Sequence, residues 1–149
     1  MTTRAEIVRE AREWLGTRWL HGQSAKGAGC DCIGLVRGVA QNLGIINNWL
    51  DLPGIEEFTH YGRLPTGQLM IGCEKYLTKI TRAEALPGDL IVTEVKGLPY
   101  HMAILGDYPH GGLSIIHAWA SRRKVVETRL DESWESKVVA WFRFPGVQS

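Results

Sequence analysis

Residues 29–39 read Gly-Cys-Asp-Cys-Ile-Gly-Leu-Val-Arg-Gly-Val, in which a glycine leads into apolar residues at helical spacing. Asp31 suits the N-cap position of such a helix, which places Cys32 in the first turn. Backbone N–H groups at a helix start and the positive end of the helix dipole favour a thiolate there. The pattern is typical of a nucleophilic cysteine. A buried cysteine that only fills space in the core is the plainer alternative.

Length and composition describe an ordinary globular chain. It has 149 residues, of which 44% are hydrophobic and 22% charged, and its net charge is +1. These values predict a single domain over residues 1–149. A nearly neutral chain offers no basic surface for nucleic acid or for an acidic membrane. We therefore expect no nucleic-acid binding. No apolar run approaches the length needed to span a bilayer, so we also expect no membrane insertion.

The order of the predicted elements indicates the fold class. Helical periodicity covers Thr3–Leu15, the segment from Cys32 to Leu43, and a third apolar face from Leu69 to Ile80. Short β-rich runs follow, with one helical turn among them at Asp131–Glu135. The predicted strands are Leu90–Val95, His101–Leu105, Leu113–Trp119, Val125–Arg129 and Val138–Phe144. We therefore expect an α+β fold with N-terminal helices packed on a C-terminal antiparallel sheet.

A thiol needs a base to act as a nucleophile at neutral pH, and histidine is the usual one. His60 and His110 fall in turn-rich loops, whereas His101 and His117 fall on consecutive predicted strands. A single histidine on a strand is more often a hydrogen-bonded structural residue. Two of them beside a helix-start cysteine favour a line of nucleophile, base and orienting residue. The small Ala103, on the same face as His101, would leave room for the helix end.

Residues 17–29 mix polar, aromatic and small side chains directly before the cysteine helix. Such a loop can form one wall of a substrate cleft. We expect Trp19 and His21 to line that cleft together with Trp119, which ends the second histidine strand. Core packing for the tryptophans and simple exposure for His21 are the alternatives, and the loop could be a plain connector.

The three cysteines do not indicate a disulfide framework or a metal site. Their number is odd, and Cys30 and Cys32 are too close for an easy bridge, with Cys73 far along the chain. A zinc site built from Cys30, Cys32 and histidines is a possible alternative. Cys-x-Cys is poor spacing for structural zinc and no second cysteine pair exists, so we expect neither a metal nor a cofactor.

Four segments carry a resemblance to a known family. They are Asp31-Cys32-Ile33-Gly34-Leu35-Val36, Pro87-Gly88-Asp89-Leu90-Ile91, His101-Met102-Ala103-Ile104-Leu105, and His117. In kind and order they resemble the NlpC/P60 family, the papain-like peptidoglycan endopeptidases. The resemblance implies a papain-like fold that spans nearly the whole chain.

The same resemblance implies a chemistry. Cys32 would be the nucleophile, His101 the base that stabilises the thiolate in its protonated form, and His117 the third polar residue. Asp89 would have a structural role in its turn. The substrate would be the stem peptide of peptidoglycan, cleaved at an amide bond such as that between D-glutamate and a diamino acid.

A narrower resemblance concerns delivery. The segments Gly29–Gly38, His117–Ala120 and Val139–Phe144 resemble peptidases encoded among the tail genes of phages and gene transfer agents. This implies tail-tip or hub proteins as partners and action at the cell wall or periplasm. Because the N-terminus does not read as a signal peptide, we expect synthesis in the cytoplasm. A catalytically silent structural tail-tip protein of the same fold is the alternative.

The chain departs from the family pattern at four positions, namely Arg18, Trp19, Cys30 and Ile33. Many members have Gly-Thr-Pro-Tyr before the cysteine, where this chain has Gly16-Thr17-Arg18-Trp19. Trp19 has no phenol hydroxyl, so a role that needs one is not carried over, although the ring could still pack against substrate. Ile33 replaces the usual serine after the cysteine, and Cys30 is an additional thiol.

Overall fold

The computed structural model describes residues 2–45, 68–95 and 98–148. Helices come first and most strands follow, as predicted. The helices are α1 (Arg4–Arg12), α2 (Cys32–Asn42), α3 (Gln68–Tyr76) and α4 (Glu132–Glu135), and single 3-10 turns cover Arg82–Glu84 and Ala120–Arg122. The strands are β1 (Ser24–Ala25), β2 (Gly29–Cys30), β3 (Thr78–Ile80), β4 (Leu90–Val95), β5 (Leu98–Asp107), β6 (Leu113–Trp119), β7 (Lys124–Arg129) and β8 (Val138–Arg143). Within these ranges no helix is long and apolar enough to cross a membrane.

The main sheet has six strands in the order β3-β8-β4-β5-β6-β7, and every neighbouring pair is antiparallel. Strands β4 to β7 follow one another as a meander, because each connection is short. The last strand, β8, returns to lie between β3 and β4. A separate two-stranded ribbon of β1 and β2 leads directly into α2.

Local sequence signals explain how the first two helices begin. The side chain of Thr3 accepts a hydrogen bond from the Glu6 N–H at 3.1 Å, which caps α1. Asp31 caps α2 in the same way through the Gly34 N–H at 2.7 Å. Helix α1 ends at Arg12, earlier than the predicted Leu15, because residues 13–16 form turns.

The two faces of the main sheet pack against different layers. One face, with Val92, Met102 and Ile104 among its residues, belongs to a large apolar cluster that includes the buried sides of α1, α2 and α3. The other face carries a smaller cluster that includes Ala103 and Leu105. Strand residues therefore alternate between two cores, as a sheet covered on both sides requires.

One helical prediction was wrong. Ile80 fits the spacing of the third apolar face, but the structure ends α3 at Tyr76 and places Ile80 on β3, opposite Trp141 of β8. The physical reason is tertiary, since the sheet provides a pairing partner that the sequence pattern does not reveal. Cys73 does fill the core as expected, with its Sγ 4.0 Å from the Met102 Sδ.

Asp89 joins the beginning and the end of the chain. Its carboxylate is fully buried, makes a two-pronged contact with Arg143 at 3.0 and 3.1 Å, and lies 2.9 Å from Arg4 of α1. The Leu86 N–H also donates to this carboxylate, at 3.0 Å. Two backbone hydrogen bonds to Leu105 hold the turn against β5. These contacts fit a structural residue.

We predict that Asp89→Asn lowers the free energy of unfolding by about 3 kcal/mol, because the amide keeps the shape but leaves two partly buried arginines without a counter-charge. Urea unfolding followed by circular dichroism measures this. Asp107→Asn is the matched control, since Asp107 also contacts an arginine but its side chain is 72% exposed. That substitution should cost less than about 1 kcal/mol. Equal losses in the two variants would contradict the structural role of Asp89.

Candidate active site

The start of α2 is fixed by a single buried carboxylate. Asp31 accepts hydrogen bonds from the N–H groups of Gly34, at 2.7 Å, and Gly22, at 2.6 Å. Burial raises the pKa of Asp31, and these two hydrogen bonds act in the opposite direction. Gly34 must be small, because a Cβ there would lie 1.9 Å from the carbonyl oxygen of Gln23. The preceding loop and the helix start therefore form one rigid corner.

Cys32 is the first residue of α2 and is buried in the larger apolar cluster. The next residue, Ile33, lines a small apolar cavity together with Met102, the residue that follows His101. The N-terminal turn of α2 therefore lies beside Met102 of β5, across this cavity. The first N–H groups of a helix have no partners within the helix, so this turn can supply donors to a developing oxyanion.

The two predicted strand histidines are hydrogen-bonded to each other. His101 Nε2 lies 2.7 Å from His117 Nδ1, and the rings meet edge to face at 72°. The backbone pairing of β5 and β6 runs from Asp107 only as far as the Ile104–Ile116 pair, and both histidines lie beyond it. Because His117 occupies the Nε2 of His101, Nδ1 is the ring nitrogen of His101 left to exchange a proton with another group.

The structure corrects the expected approach of α2 to His101. Ala103, the small residue predicted to admit the helix end, belongs to the smaller cluster on the other face of the sheet. Met102 and Ile104, at the alternate positions of β5, are the residues that share a cluster with α2. The His101–His117 hydrogen bond joins two of the three predicted catalytic residues directly.

Burial keeps both imidazoles neutral near pH 7. It lowers the pKa of His101 to about 4 and that of His117 to about 3, and the neighbouring His101 contributes to the second shift. The expectation that His101 is protonated therefore does not describe the resting pair. A neutral His101 is ready to accept a proton, which it would acquire only when a donor such as a thiol reacts.

Two tryptophans surround the histidine pair. Trp119 stacks on His117, with ring planes 19° apart and centroids 5.5 Å apart. Trp134 of α4 lies edge-on, 5.1 Å from His117, and 5.8 Å from His101. Trp119, one of the predicted cleft residues, therefore lies against the histidine pair. Sequence reasoning missed Trp134, whose short helix carried no signal beyond its N-cap residue Asp131.

The other two predicted cleft residues lie in the loop before the cysteine. Trp19 pairs with Cys30 through a backbone bridge and packs partly against the core. His21 is exposed, and its ring lies 6.3 Å from that of Trp19. His60 and the turn signals around it lie outside the described ranges.

The other two cysteines, Cys30 and Cys73, are buried thiols as Cys32 is. Burial, with smaller contributions from Asp31 and Cys32, raises the pKa of Cys30 to about 12. Burial likewise raises the pKa of Cys73 to about 12. Both thiols therefore stay protonated at neutral pH and should react slowly. Among the described residues no cluster of three or more histidines, cysteines and carboxylates could hold a metal ion.

A family model described as the NlpC/P60 family matches residues 16–143, well over half of the chain. The chain is similar in structure to the NlpC/p60 domain of the peptidoglycan hydrolase SagA. The identity is 26%, the TM-score is 0.63, and the match covers 95% of this chain and 98% of that one. The predicted papain-like NlpC/P60 fold, with helices packed on an antiparallel sheet, is confirmed.

Two further solved structures share the fold. The P60 domain of an antigen from M. avium subspecies paratuberculosis is 18% identical, with a TM-score of 0.58 and coverage of 94% of this chain and 92% of that one. An NlpC/P60 family protein from Bacillus cereus is 16% identical, with a TM-score of 0.67 and coverage of 95% of this chain. This chain spans only 40% of that longer protein. No curated protein sequence matches significantly.

We predict that folding stability falls as the pH decreases from about 6.5 towards about 4. In this window the unfolded chain binds protons at both histidines while the folded chain does not, since the folded-state pKa values lie below the ordinary 6.5. The free energy of unfolding should change by about 1.4 kcal/mol per pH unit for each proton taken up on unfolding. Urea titrations across this window measure the slope.

His117→Gln should make the slope shallower, because it removes one of the two buried titrating groups. His110→Gln is the control, since His110 lies in an exposed loop and should leave the slope as in the wild type. Parallel pH profiles for all three proteins would show that the buried histidines do not control acid stability.

Proposed function

Because the chain belongs to the NlpC/P60 family, we propose that it is a cysteine peptidase that hydrolyses amide bonds in peptidoglycan stem peptides. The observation that carries this proposal is the buried His101–His117 hydrogen bond, which joins two strands that contact the cysteine helix α2. The 26% identity to a domain of a peptidoglycan hydrolase supports the cell wall as the source of the substrate.

The first step forms an acyl-enzyme. The Nδ1 of His101 takes the proton of the Cys32 thiol, and the Sγ attacks the carbonyl carbon of the scissile amide. N–H groups in the first turn of α2, that of Cys32 among them, stabilise the negative oxygen. His101 then gives its proton to the leaving amine. The C–N bond breaks and a thioester remains.

Water completes the cycle. The Nδ1 of His101 accepts a proton from the water molecule, which attacks the thioester carbonyl and releases the peptide as a carboxylic acid. The proton returns to Cys32 and restores the thiol. Throughout, the Nε2–H of His101 donates to His117 Nδ1, which fixes the ring orientation and stabilises the transient imidazolium in a site of low dielectric constant.

Aromatic side chains would hold the substrate. Trp119 and Trp134 lie against the two imidazoles, so they are placed to border the reacting bond. Trp19 and His21 would form the opposite wall, with Trp19 packing where other family members have a tyrosine. By resemblance, the bond cleaved lies between D-glutamate and a diamino acid.

Delivery by a phage-like tail is the finer part of the proposal. It is supported by the likeness of Gly29–Gly38, His117–Ala120 and Val139–Phe144 to peptidases encoded among tail genes. Tail-tip or hub proteins would be the partners, and the enzyme would act at the cell wall or periplasm after leaving the cytoplasm with the particle. No membrane insertion or nucleic-acid contact is part of this function.

The direct test is digestion of purified diamino-acid-type peptidoglycan, with the products identified by mass spectrometry. The wild type should release a defined stem-peptide fragment. Cys32→Ala should lower the rate by at least about a thousandfold, since removal of a nucleophile leaves only residual catalysis. Cys30→Ala is the matched control, because it removes a neighbouring buried thiol outside the proposed chemistry, and it should retain activity near that of the wild type.

Fragment release that persists in Cys32→Ala would contradict the assignment of the nucleophile. If the folded wild type releases nothing while purified tails contain the chain, the alternative gains support. The chain would then be a catalytically silent structural tail-tip protein of the same fold.

A further inference from the structure

The hydrogen-bonded chain at the histidines does not stop at His117. The second ring nitrogen of His117, Nε2, lies 3.3 Å from the Oγ1 of Thr128 on β7. His117 has no exposed surface, so both of its ring nitrogens need partners within the protein. The order of contacts is His101, His117, Thr128.

We propose that Thr128 is a positioning residue that fixes His117 in the tautomer protonated at Nε2. This inference rests on the proposed peptidase function, in which His101 must present an unprotonated Nδ1. A neutral His101 then carries its proton on Nε2 and donates to His117 Nδ1. His117 can accept that hydrogen bond only if its own proton is on Nε2, which in turn requires an acceptor. The Thr128 hydroxyl is that acceptor.

Strand register explains why position 128 can do this. On β7, Val126 lies directly opposite His117, and Thr128 lies opposite Ile115 two positions along β6. Thr128 and His117 therefore share a face of the sheet as diagonal neighbours, which is within side-chain reach. Threonine is β-branched, so few rotamers compete with the one that points its hydroxyl at the ring.

Loss of the hydroxyl would disturb the whole chain of hydrogen bonds. Without an acceptor, the His117 Nε2–H would be buried and unsatisfied, which favours moving the proton to Nδ1. His117 would then donate to His101 Nε2, and the His101 proton would move to Nδ1. In that state His101 cannot accept a proton from the Cys32 thiol.

The test compares Thr128→Val, which keeps the shape and removes the oxygen, with Thr128→Ser, which keeps the oxygen. Thr78→Val is the matched control, because Thr78 is exposed on β3 at the opposite edge of the sheet. On a peptidoglycan fragment, Thr128→Val should lower kcat roughly tenfold, with a smaller effect on KM. Thr128→Ser and Thr78→Val should stay near the wild-type kcat.

The tautomer is measured directly by nitrogen-15 NMR of histidine-labelled protein near neutral pH. His117 should be protonated at Nε2 in the wild type and in Thr128→Ser, and at Nδ1 in Thr128→Val. A wild-type His117 protonated at Nδ1 would overturn the proposal even if Thr128→Val failed to fold. So would a folded Thr128→Val with an unchanged tautomer and kcat.

The two readouts separate this inference from the proposed function. If the wild type has no peptidase activity, the NMR measurement still decides whether Thr128 controls the tautomer. If the wild type is active and Cys32→Ala is not, an unchanged kcat in folded Thr128→Val rejects the role of Thr128 alone.

Discussion

The candidate active site depends on a 2.7 Å hydrogen bond between the buried imidazoles of His101 and His117. Both rings are withdrawn from water, which lowers the pKa of each and keeps both neutral near pH 7. Two neutral imidazoles can be joined only if one nitrogen donates and the other accepts. The tautomers are therefore coupled, and Thr128, through His117, sets which nitrogen of His101 is free to take the Cys32 proton in the proposed mechanism. In this account the sheet sets the protonation state of the base, and the helix sets the position of the nucleophile.

Two buried carboxylates hold those parts in place. Asp31 ties the loop before the cysteine to the first turn of α2 through two backbone N–H groups. Asp89 ties α1 and β8 together through Arg4 and Arg143. Neither carboxylate has a role in the proposed chemistry. Their contribution is rigidity, which a reacting group needs because small displacements of a nucleophile reduce the rate strongly.

The features that sequence reasoning predicted are local or strongly patterned. The cap at Asp31 follows from residue type and spacing, and the strand Leu113–Trp119 follows from its apolar run. Ile80 was placed on a helix because its spacing fits one, and only the pairing with β8 decides otherwise. Trp134 and Thr128 could not be assigned to the site, because their positions depend on which strands lie side by side. The role predicted for Ala103 was wrong for a similar reason. Alternation along a strand shows which residues share a face of the sheet, but it does not show which helix packs on that face.

The most direct test of the central claim is the alkylation of cysteines by iodoacetamide, located by peptide mass spectrometry. The account predicts that Cys32 is modified far faster than Cys30 and Cys73, whose thiols are held protonated by burial. In His101→Ala the Cys32 rate should fall to that of an unactivated thiol, while the other two rates stay unchanged. A Cys32 rate that is no faster than a free thiol, or that is unaffected by His101→Ala, would contradict activation of this cysteine by the buried histidine pair.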